Sequence, residues 1–314
     1  MSALTLRLRE RLRNRLRGRL RSRLRREGWL ALLLLLPSLA VVFGIILYPL
    51  LRTLWTSLFD VNSPFPGSYP FVGLGNYRRA LANPDLWASI RRTAWFTVAS
   101  TSLELGLGVL LGLLLNVRFR GRWLLRTLVV LPWALPTIVN GTMWRWILNP
   151  SYGALNALLT QVHLLHAYRS WLGSPALALN MVILADVWKN TPLAAFLVLA
   201  GLQTIPRELF EAARVDGAGP VRAFFRVTLP LLQPTVLVIL VVRTIEAFKV
   251  FDIIYVMTRG GPANGTLTVA YYTYLQAFSN QLFGYGASLA YIMALFILGF
   301  AILYVRLLRQ EVEL

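Results

Sequence analysis

The chain has 314 residues, of which 57% are hydrophobic and only 14% are charged, and its formal net charge is +19. Soluble domains average about a quarter charged residues, so this composition argues against an ordinary soluble domain and indicates a membrane protein. Because the chain contains no cysteine, disulfide frameworks and thiolate metal sites are excluded.

The chain begins with an arginine-rich repeat. Residues 7–26 read RLRERLRNRLRGRLRSRLRR, with leucine at every fourth position from Leu8 to Leu24. Leucines at that spacing form a slanting stripe on a helix, and the surrounding arginines favour anionic lipid headgroups. A nucleic-acid-binding arm is the competing interpretation, but the run lacks interleaved aromatic residues and adjoins a predicted membrane span. We therefore expect residues 1–28 to contact membrane lipid and no nucleic acid, either as a topology anchor or as a surface helix.

Six later stretches are long and apolar enough to cross roughly 30 Å of hydrocarbon as helices. The predicted fold is therefore an all-α membrane protein with six transmembrane helices. The spans are placed at Trp29–Leu51, Thr93–Val117, Trp123–Leu148, Pro175–Leu202, Leu229–Met257 and Gly286–Leu308.

The distribution of arginine and lysine predicts the orientation of these spans, because basic residues favour the cytoplasmic side. With the N-terminus inside, the inner segments are 1–28, 118–126, 203–228 and 306–314. These segments hold eleven, four, four and two arginines, against seven in the outer segments and span ends. An even number of spans then places both termini in the cytoplasm.

The third span contains two prolines, Pro132 and Pro136, within the sequence LPWALP. Proline breaks the hydrogen-bond ladder of a helix and frees backbone carbonyls, which is tolerated where they face a cavity. We expect a kink at this point, although prolines in spans are often only packing features.

Ionisable residues inside spans are costly and are candidates for function. Arg243 and Glu246 are three residues apart and share a helix face, as do Asp186, Lys189 and Asn190 on the fourth span. Such groups supply the hydrogen-bond donors and acceptors that a sugar site needs. The ionisable residues assigned to the spans are Glu104, Arg145, Asp186, Lys189, Arg243, Glu246, Lys249 and Asp252.

A competing interpretation assigns the same charges to internal salt bridges that fix helix packing. The residue pattern leaves both interpretations open for the group as a whole. For Glu104 and Arg145 the structural interpretation is favoured.

The polar segment between the fourth and fifth spans predicts two short helices. Pro206 suits the first turn of a helix, and Glu208 and Glu211 lie near its positive dipole end. Gly217 can adopt the left-handed conformation that ends a helix. Pro220 then suits the start of a second short helix, before the prolines that mark entry to the fifth span.

The string EAARVDGAG and the residues after it resemble the EAA signature of permease subunits in binding-protein-dependent ABC importers. Further stretches resemble the carbohydrate branch of that family: FVGLGNYRRAL (71–81), LPWALP (131–136), DVWKNTPLAAFLVLAGLQTIP (186–206) and RTIEAFKVFDIIYVMTRGGPANGT (243–266). The permease of maltose- and trehalose-type importers is the most similar type. The signature positions are Glu211, Ala212, Ala213, Asp216, Gly217, Ala218, Phe224, Leu229 and Pro230.

The resemblance implies a domain plan and a set of partners. Residues 1–28 are a cytoplasmic segment outside the resemblance, and 29–314 form a permease domain in a bacterial plasma membrane, with coupling helices at 206–228. The implied partners are a second permease subunit, two ATPase subunits that bind ATP and Mg, and an extracytoplasmic sugar-binding protein. The coupling residues implied are Glu208, Glu211, Ala212, Ala213, Asp216, Gly217 and Phe224.

The resemblance also implies a sugar pocket between the third, fourth and fifth spans, for a disaccharide such as trehalose or maltose. The pocket is more charged and poorer in amides than the maltose pattern, so the exact sugar stays open. The implied pocket residues are Trp133, Thr137, Asp186, Lys189, Asn190, Arg243, Glu246, Ala247 and Val250.

The sequence contains no G-x-x-x-x-G-K-[ST] phosphate loop, so we expect a transport subunit without its own ATPase site or cofactor. His163 and His166 lack a nearby third ligand, so no metal site is expected. The main alternative is an ion-coupled secondary transporter of a polar solute. Such proteins commonly show inverted repeats and more spans, which this sequence does not show.

Overall fold

The structure is a computed structural model that describes residues 29, 33–61, 69–117 and 119–309. The arginine-rich repeat predicted to contact lipid lies outside the described residues. The described residues divide into two compact units, one ending at Thr56 and the other beginning at Ser57.

The first unit contributes most of helix α1, Leu33–Ser57, which is long and apolar enough to cross a membrane. The helix includes a π-helical stretch, Val42–Leu47. It extends beyond the predicted end of the first span at Leu51.

Among the described residues of the second unit, four unbroken helices and one bent pair have membrane-spanning length and composition. Counted as one span, the bent pair brings the total with α1 to the six that were predicted. Short helices cap the spans or connect them. The helices in chain order are α2 Gly75–Ala82, α3 Pro84–Asn116, α4 Arg122–Ala134, α5 Thr137–Ile147, α6 Ala154–Gln161, α7 Pro175–Gln203, α8 Arg207–Val215, α9 Pro220–Phe248, α10 Asp252–Met257, α11 Val269–Tyr274 and α12 Phe283–Arg309.

The third span is broken rather than kinked. Helices α4 and α5 meet at 95°. Leu135 and Pro136 both have extended backbone, with ψ of 137° and 142°. Leu135 precedes a proline, and a residue in that position is driven out of the helical region. The predicted bend is therefore confirmed, and it separates two helices instead of kinking one.

The fifth span also differs from the prediction of one helix over Leu229–Met257. Helix α9 ends at Phe248, and α10 begins at Asp252. Phe251 between them has φ −134° and ψ −59°, outside helical geometry. The segment contains neither glycine nor proline, so the sequence carries no strong local signal for this break.

At its other end, α9 begins at Pro220, as predicted for the second short helix of the polar segment. That helix is not separate, however. It continues through a π-helical turn at Phe224–Thr228 into the span, and Pro230 lies within the continuous helix just after that turn.

Helices α3 and α7 form the most extensive helix pair of the second unit. Their backbones approach closely at two glycines of α3. A Cβ atom at Gly108 would lie 2.6 Å from the Cβ of Ala194, and one at Gly112 would lie 2.6 Å from Cγ1 of Val198. Small residues at such contacts allow membrane helices to pack closely.

This close approach predicts that Gly108→Ala lowers the thermal unfolding midpoint of the purified protein in lipid nanodiscs. The added methyl group must push α3 away from α7, at a cost of about 1–3 kcal/mol. Gly106→Ala on the same helix is the matched control, because a Cβ there meets no atom within 4 Å. Equal midpoints for the two variants would contradict the packing described here.

Candidate functional site

A polar cavity of about 420 Å³ lies where α7, the end of α9 and the break before α10 meet the start of α5. Its size falls within the range of about 300–1,000 Å³ that is typical of small-molecule sites. Its lining residues are Thr137, Asp186, Lys189, Asn190, Arg243, Glu246, Ala247, Lys249, Val250, Phe251, Asp252 and Ile253.

Eight of the nine residues predicted to form a sugar pocket line this cavity. The exception is Trp133, whose side chain is 48% exposed. Its backbone carbonyl still accepts a hydrogen bond from Nζ of Lys189 at 3.4 Å. The structure thus brings the predicted set together, while contact with a sugar stays a prediction.

Four lining residues were missed by the sequence prediction: Lys249, Phe251, Asp252 and Ile253. All four belong to the break between α9 and α10 or directly follow it. A continuous helix would have turned some of them away from the cavity. The signal that could have found them is the pair of charges, Lys249 and Asp252, within an apolar run.

The wall of the cavity is anchored by a buried cluster of three charges from three spans. Arg243 of α9 donates two hydrogen bonds to the carboxylate of Glu104 on α3. Its Nε donates to Oε2, and its Nη2 donates to Oε1 at 2.8 Å. Its Nη2 also donates to Oδ2 of Asp186 on α7 at 3.3 Å. All three residues are at most 7% exposed. The internal salt bridges of the competing sequence interpretation are therefore present at this cluster.

Burial explains why these charges occur as a cluster. An ion removed from water costs several kcal/mol, and a forked guanidinium offsets this cost only where carboxylates accept its hydrogen bonds in good geometry. Asp186 is satisfied further by Asn190, whose Nδ2 donates to Oδ1 at 3.0 Å. The cluster fastens α3, α7 and α9 together at one depth.

The charges nearer the open cavity are paired more loosely. Lys249 lies 2.9 Å from Glu246, and both side chains are about half exposed. Asp252 is exposed at the start of α10. These groups, with Lys189 and Asn190, present both donors and acceptors to the space. Phe251 also lines the cavity. The mixture of donors and acceptors suits a molecule rich in hydroxyl groups.

Other predicted positions lie outside this cavity. Arg145 on α5 is exposed and takes part in none of the ion pairs recorded for the described residues, so the internal role expected for it is wrong. Within the part of the chain that the structure describes, no three His, Cys, Asp or Glu residues are grouped as metal ligands.

The predicted coupling residues lie on α8 and on the turn that follows it, except Phe224, which lies near the start of α9. Gly217 has φ +74°, and the amide N of Ala218 donates to the carbonyl of Ala213 at 2.8 Å, which is the expected left-handed helix end. Glu208, Glu211, Ala212 and Asp216 are exposed, and Ala213 and Phe224 are half-buried.

The stretch from α8 through the turn at residues 216–219, called the elbow below, to the start of α9 also exposes large apolar side chains. Leu209, Val215, Val221 and Phe225 are between 42% and 88% exposed. A cavity of about 670 Å³ lies between α8 and the start of α9, lined mainly by apolar residues such as Phe210 and Phe224. Exposed apolar patches of this kind mark sites of interaction with another molecule.

The sequence and fold of this chain are similar to those of known proteins. Residues 104–310 match the family described as binding-protein-dependent transport system inner membrane component. The chain is 42% identical over 90% of its length to the trehalose/maltose transport system permease protein MalF of Thermococcus litoralis, covering 94% of that protein. It is 38% identical over 90% of its length to the sulfoquinovosyl glycerol transport system permease protein SmoG of Agrobacterium fabrum, covering 91% of it.

A third relative is the trehalose transport system permease protein SugA of Mycobacterium tuberculosis. The two sequences are 34% identical over a stretch that covers 85% of this chain and 88% of SugA. Among solved structures, a bacterial ABC transporter for import of the acidic polysaccharide alginate matches with a TM-score of 0.79 and 22% identity. That match covers 93% of this chain and 99% of the other. It establishes the likeness of the folds.

The buried cluster predicts a large loss of stability for Arg243→Gln, because Glu104 and Asp186 then remain buried without their cation. We expect a cost of about 3–5 kcal/mol, measured as a lower thermal unfolding midpoint in nanodiscs. Lys249→Gln is the matched control on the same stretch of chain. Its half-exposed pair contributes only about 0–1 kcal/mol, so equal midpoints for both variants would contradict the account.

Proposed function

The chain belongs to the family of binding-protein-dependent transport system inner membrane components, and from this premise we propose that it is a permease subunit of an ABC importer that forms the membrane pathway for a sugar. The polar cavity is the observation that supports this proposal most strongly. It places eight residues implied by the family resemblance around one space.

A sugar offers hydroxyl groups in all directions and one or more apolar faces. The cavity supplies carboxylate acceptors from Glu246 and Asp186, donors from Lys189 and Asn190, and the ring of Phe251. Such a set binds neutral hydroxyls by short hydrogen bonds while the site excludes bulk water. The names of two relatives include trehalose, so we propose a disaccharide such as trehalose or maltose as the substrate.

Transport requires energy that this chain does not supply by itself. It contains no phosphate-binding loop with the G-x-x-x-x-G-K-[ST] pattern, so we assign ATP and Mg to two partner ATPase subunits. A second permease subunit and an extracytoplasmic sugar-binding protein complete the proposed assembly. The chain itself holds no cofactor in this proposal, and its termini lie in the cytoplasm of a bacterial cell.

Helix α8 and the elbow after it are the proposed docking surface for an ATPase subunit. The exposed carboxylates of Glu208 and Glu211 and the apolar side chains of Leu209, Val215 and Val221 suit a groove on a partner protein. The exposed Ala212 of α8 allows close approach of the partner.

Helix α9 connects this surface to the cavity. It runs without interruption from Pro220, next to the elbow, to Phe248, next to the cavity. Its 29 residues span about 43 Å at 1.5 Å per residue. A displacement of the elbow therefore moves Arg243 and Glu246 as parts of one helix, and this connection converts closure of the ATPases into a change of the sugar site.

An ion-coupled secondary transporter is the competing function. A proton relay needs charged groups that change partners during transport, whereas Arg243 is paired with two carboxylates in the buried cluster. Uptake of radiolabelled trehalose by the reconstituted complex separates the two functions. The importer requires ATP and the binding protein and is insensitive to a protonophore, whereas a secondary transporter shows the opposite dependence.

The assigned cavity predicts that Glu246→Ala raises the KM for trehalose uptake about tenfold or more, because one charged hydrogen bond contributes about 1.5–3 kcal/mol. The side chain is half exposed, so the fold tolerates its loss. Co-purification of the ATPase subunits serves as the control and stays unchanged. Unchanged KM together with loss of the ATPase subunits would show that Glu246 acts in assembly instead.

The assigned docking elbow predicts that Gly217→Val abolishes stimulation of the ATPase by the loaded binding protein. The positive φ at Gly217 is strained for any residue with a Cβ and most for a β-branched one. Gly219→Val is the matched control, because Gly219 has φ −68° and a Cβ at either glycine meets no atom within 4 Å. Equal stimulation in the two variants would contradict the assigned role of the elbow.

A further inference from the structure

Glu104 lies behind the sugar cavity and not on its wall. Its side chain is completely buried and is absent from the residues that line the cavity. Its partner Arg243 does line the cavity, and the two carboxylate oxygens of Glu104 accept hydrogen bonds from the Nε and Nη2 atoms of that arginine. Glu104 therefore acts on the cavity only through Arg243.

The charges on the wall are balanced without Glu104. The lining contains three carboxylates, Asp186, Glu246 and Asp252, and three cations, Lys189, Arg243 and Lys249. Glu104 adds one further negative charge directly behind the wall. With Glu104 included, the site carries an excess of one negative charge.

The hydrogen bonds of Arg243 show where its positive charge is neutralised. Glu104 and Asp186 together occupy its Nε and Nη2 atoms. Among the described residues, no protein atom accepts a hydrogen bond from its Nη1 atom. An arginine held in this way still offers directed N–H donors to a ligand, but its charge is balanced from behind.

The charge of the ligand is not fixed by family membership. The relatives' names include trehalose, which is uncharged, and sulfoquinovosyl glycerol, a sulfonated glycoside. A buried arginine in a sugar site is the group best suited to bind a sulfonate or carboxylate through two parallel hydrogen bonds. Whether Arg243 does so depends on which other groups already accept hydrogen bonds from its guanidinium.

We propose that Glu104 is a positioning residue that sets the charge selectivity of the cavity: by occupying and neutralising Arg243 from behind, it makes the site accept uncharged glycosides and reject anionic ones. The inference rests on the proposed function, since it assumes that the cavity binds sugar. An anionic sugar meets an excess of negative charge in a low-dielectric site, where like charges repel strongly. An uncharged sugar meets only hydrogen-bond donors and acceptors.

The test compares equilibrium binding of two probes to the purified transporter complex in nanodiscs, without the binding protein. The probes are radiolabelled trehalose and the analogue in which one 6-hydroxymethyl group is oxidised to a carboxylate. The wild-type complex is expected to prefer trehalose. Glu104→Gln, which keeps the shape and removes the charge, is expected to shift the ratio of the two dissociation constants toward the carboxylate by about tenfold or more.

Three further variants separate charge from shape and folding. Glu104→Asp keeps the charge and is expected to keep the wild-type ratio. Asp85→Asn removes a carboxylate from the exposed start of the same helix and is the matched control, with an unchanged ratio. The double variant Glu104→Gln/Arg243→Gln removes both charges, so the site again carries an excess of one negative charge, and it is expected to restore the preference for trehalose.

Because Glu104→Gln leaves a buried arginine with one carboxylate fewer, each complex is first checked by size-exclusion chromatography. If the single variant does not give a monodisperse complex, the wild-type complex and the double variant carry the test. The double variant leaves Asp186 buried without its cation but still hydrogen-bonded to Asn190. An unchanged ratio in Glu104→Gln, or a preference for the carboxylate in the double variant or in the wild type, would overturn the inference. Failure of the wild-type complex to bind either probe would instead contradict the assignment of the cavity as a sugar site.

Discussion

The cost of burying charge inside a membrane protein is the constraint on which this structure depends. Arg243 is placed deep in the packed spans, where an unpaired guanidinium would be severely destabilising. The guanidinium of Arg243 forms ion pairs with Glu104 and Asp186, which come from two other spans. Three helices are therefore held at fixed positions by one side chain, and the polar cavity forms next to that point.

The broken helices follow from the same requirement for a polar space within an apolar fold. The breaks at Leu135–Pro136 and at Lys249–Phe251 both lie beside the cavity. Irregular backbone at membrane depth is tolerated only where it is buried in protein or lines a cavity. At the second break, the chain turns Lys249, Phe251 and Asp252 toward the space, and this adds charge and an aromatic face to the site.

Much of this arrangement could be predicted from the sequence, because its strongest signals are local. Apolar length placed the spans, Pro136 marked the first break, and Gly217 marked the helix end at the elbow. The family resemblance supplied most of the cavity. The partnership of Glu104 with Arg243 could not be predicted, because the two residues are 139 positions apart and no spacing rule connects them. The break at Phe251 was missed because the segment contains no glycine or proline.

The central claim is that the sugar binds in the cavity beside the buried charge cluster, and that α9 connects it to the ATPase docking elbow. A cryo-EM map of the reconstituted complex with trehalose tests this claim most directly. The account predicts sugar density in contact with Lys189, Asn190 and Glu246, and an ATPase subunit seated on α8. Sugar density elsewhere in the pathway, or an elbow without a partner, would contradict it.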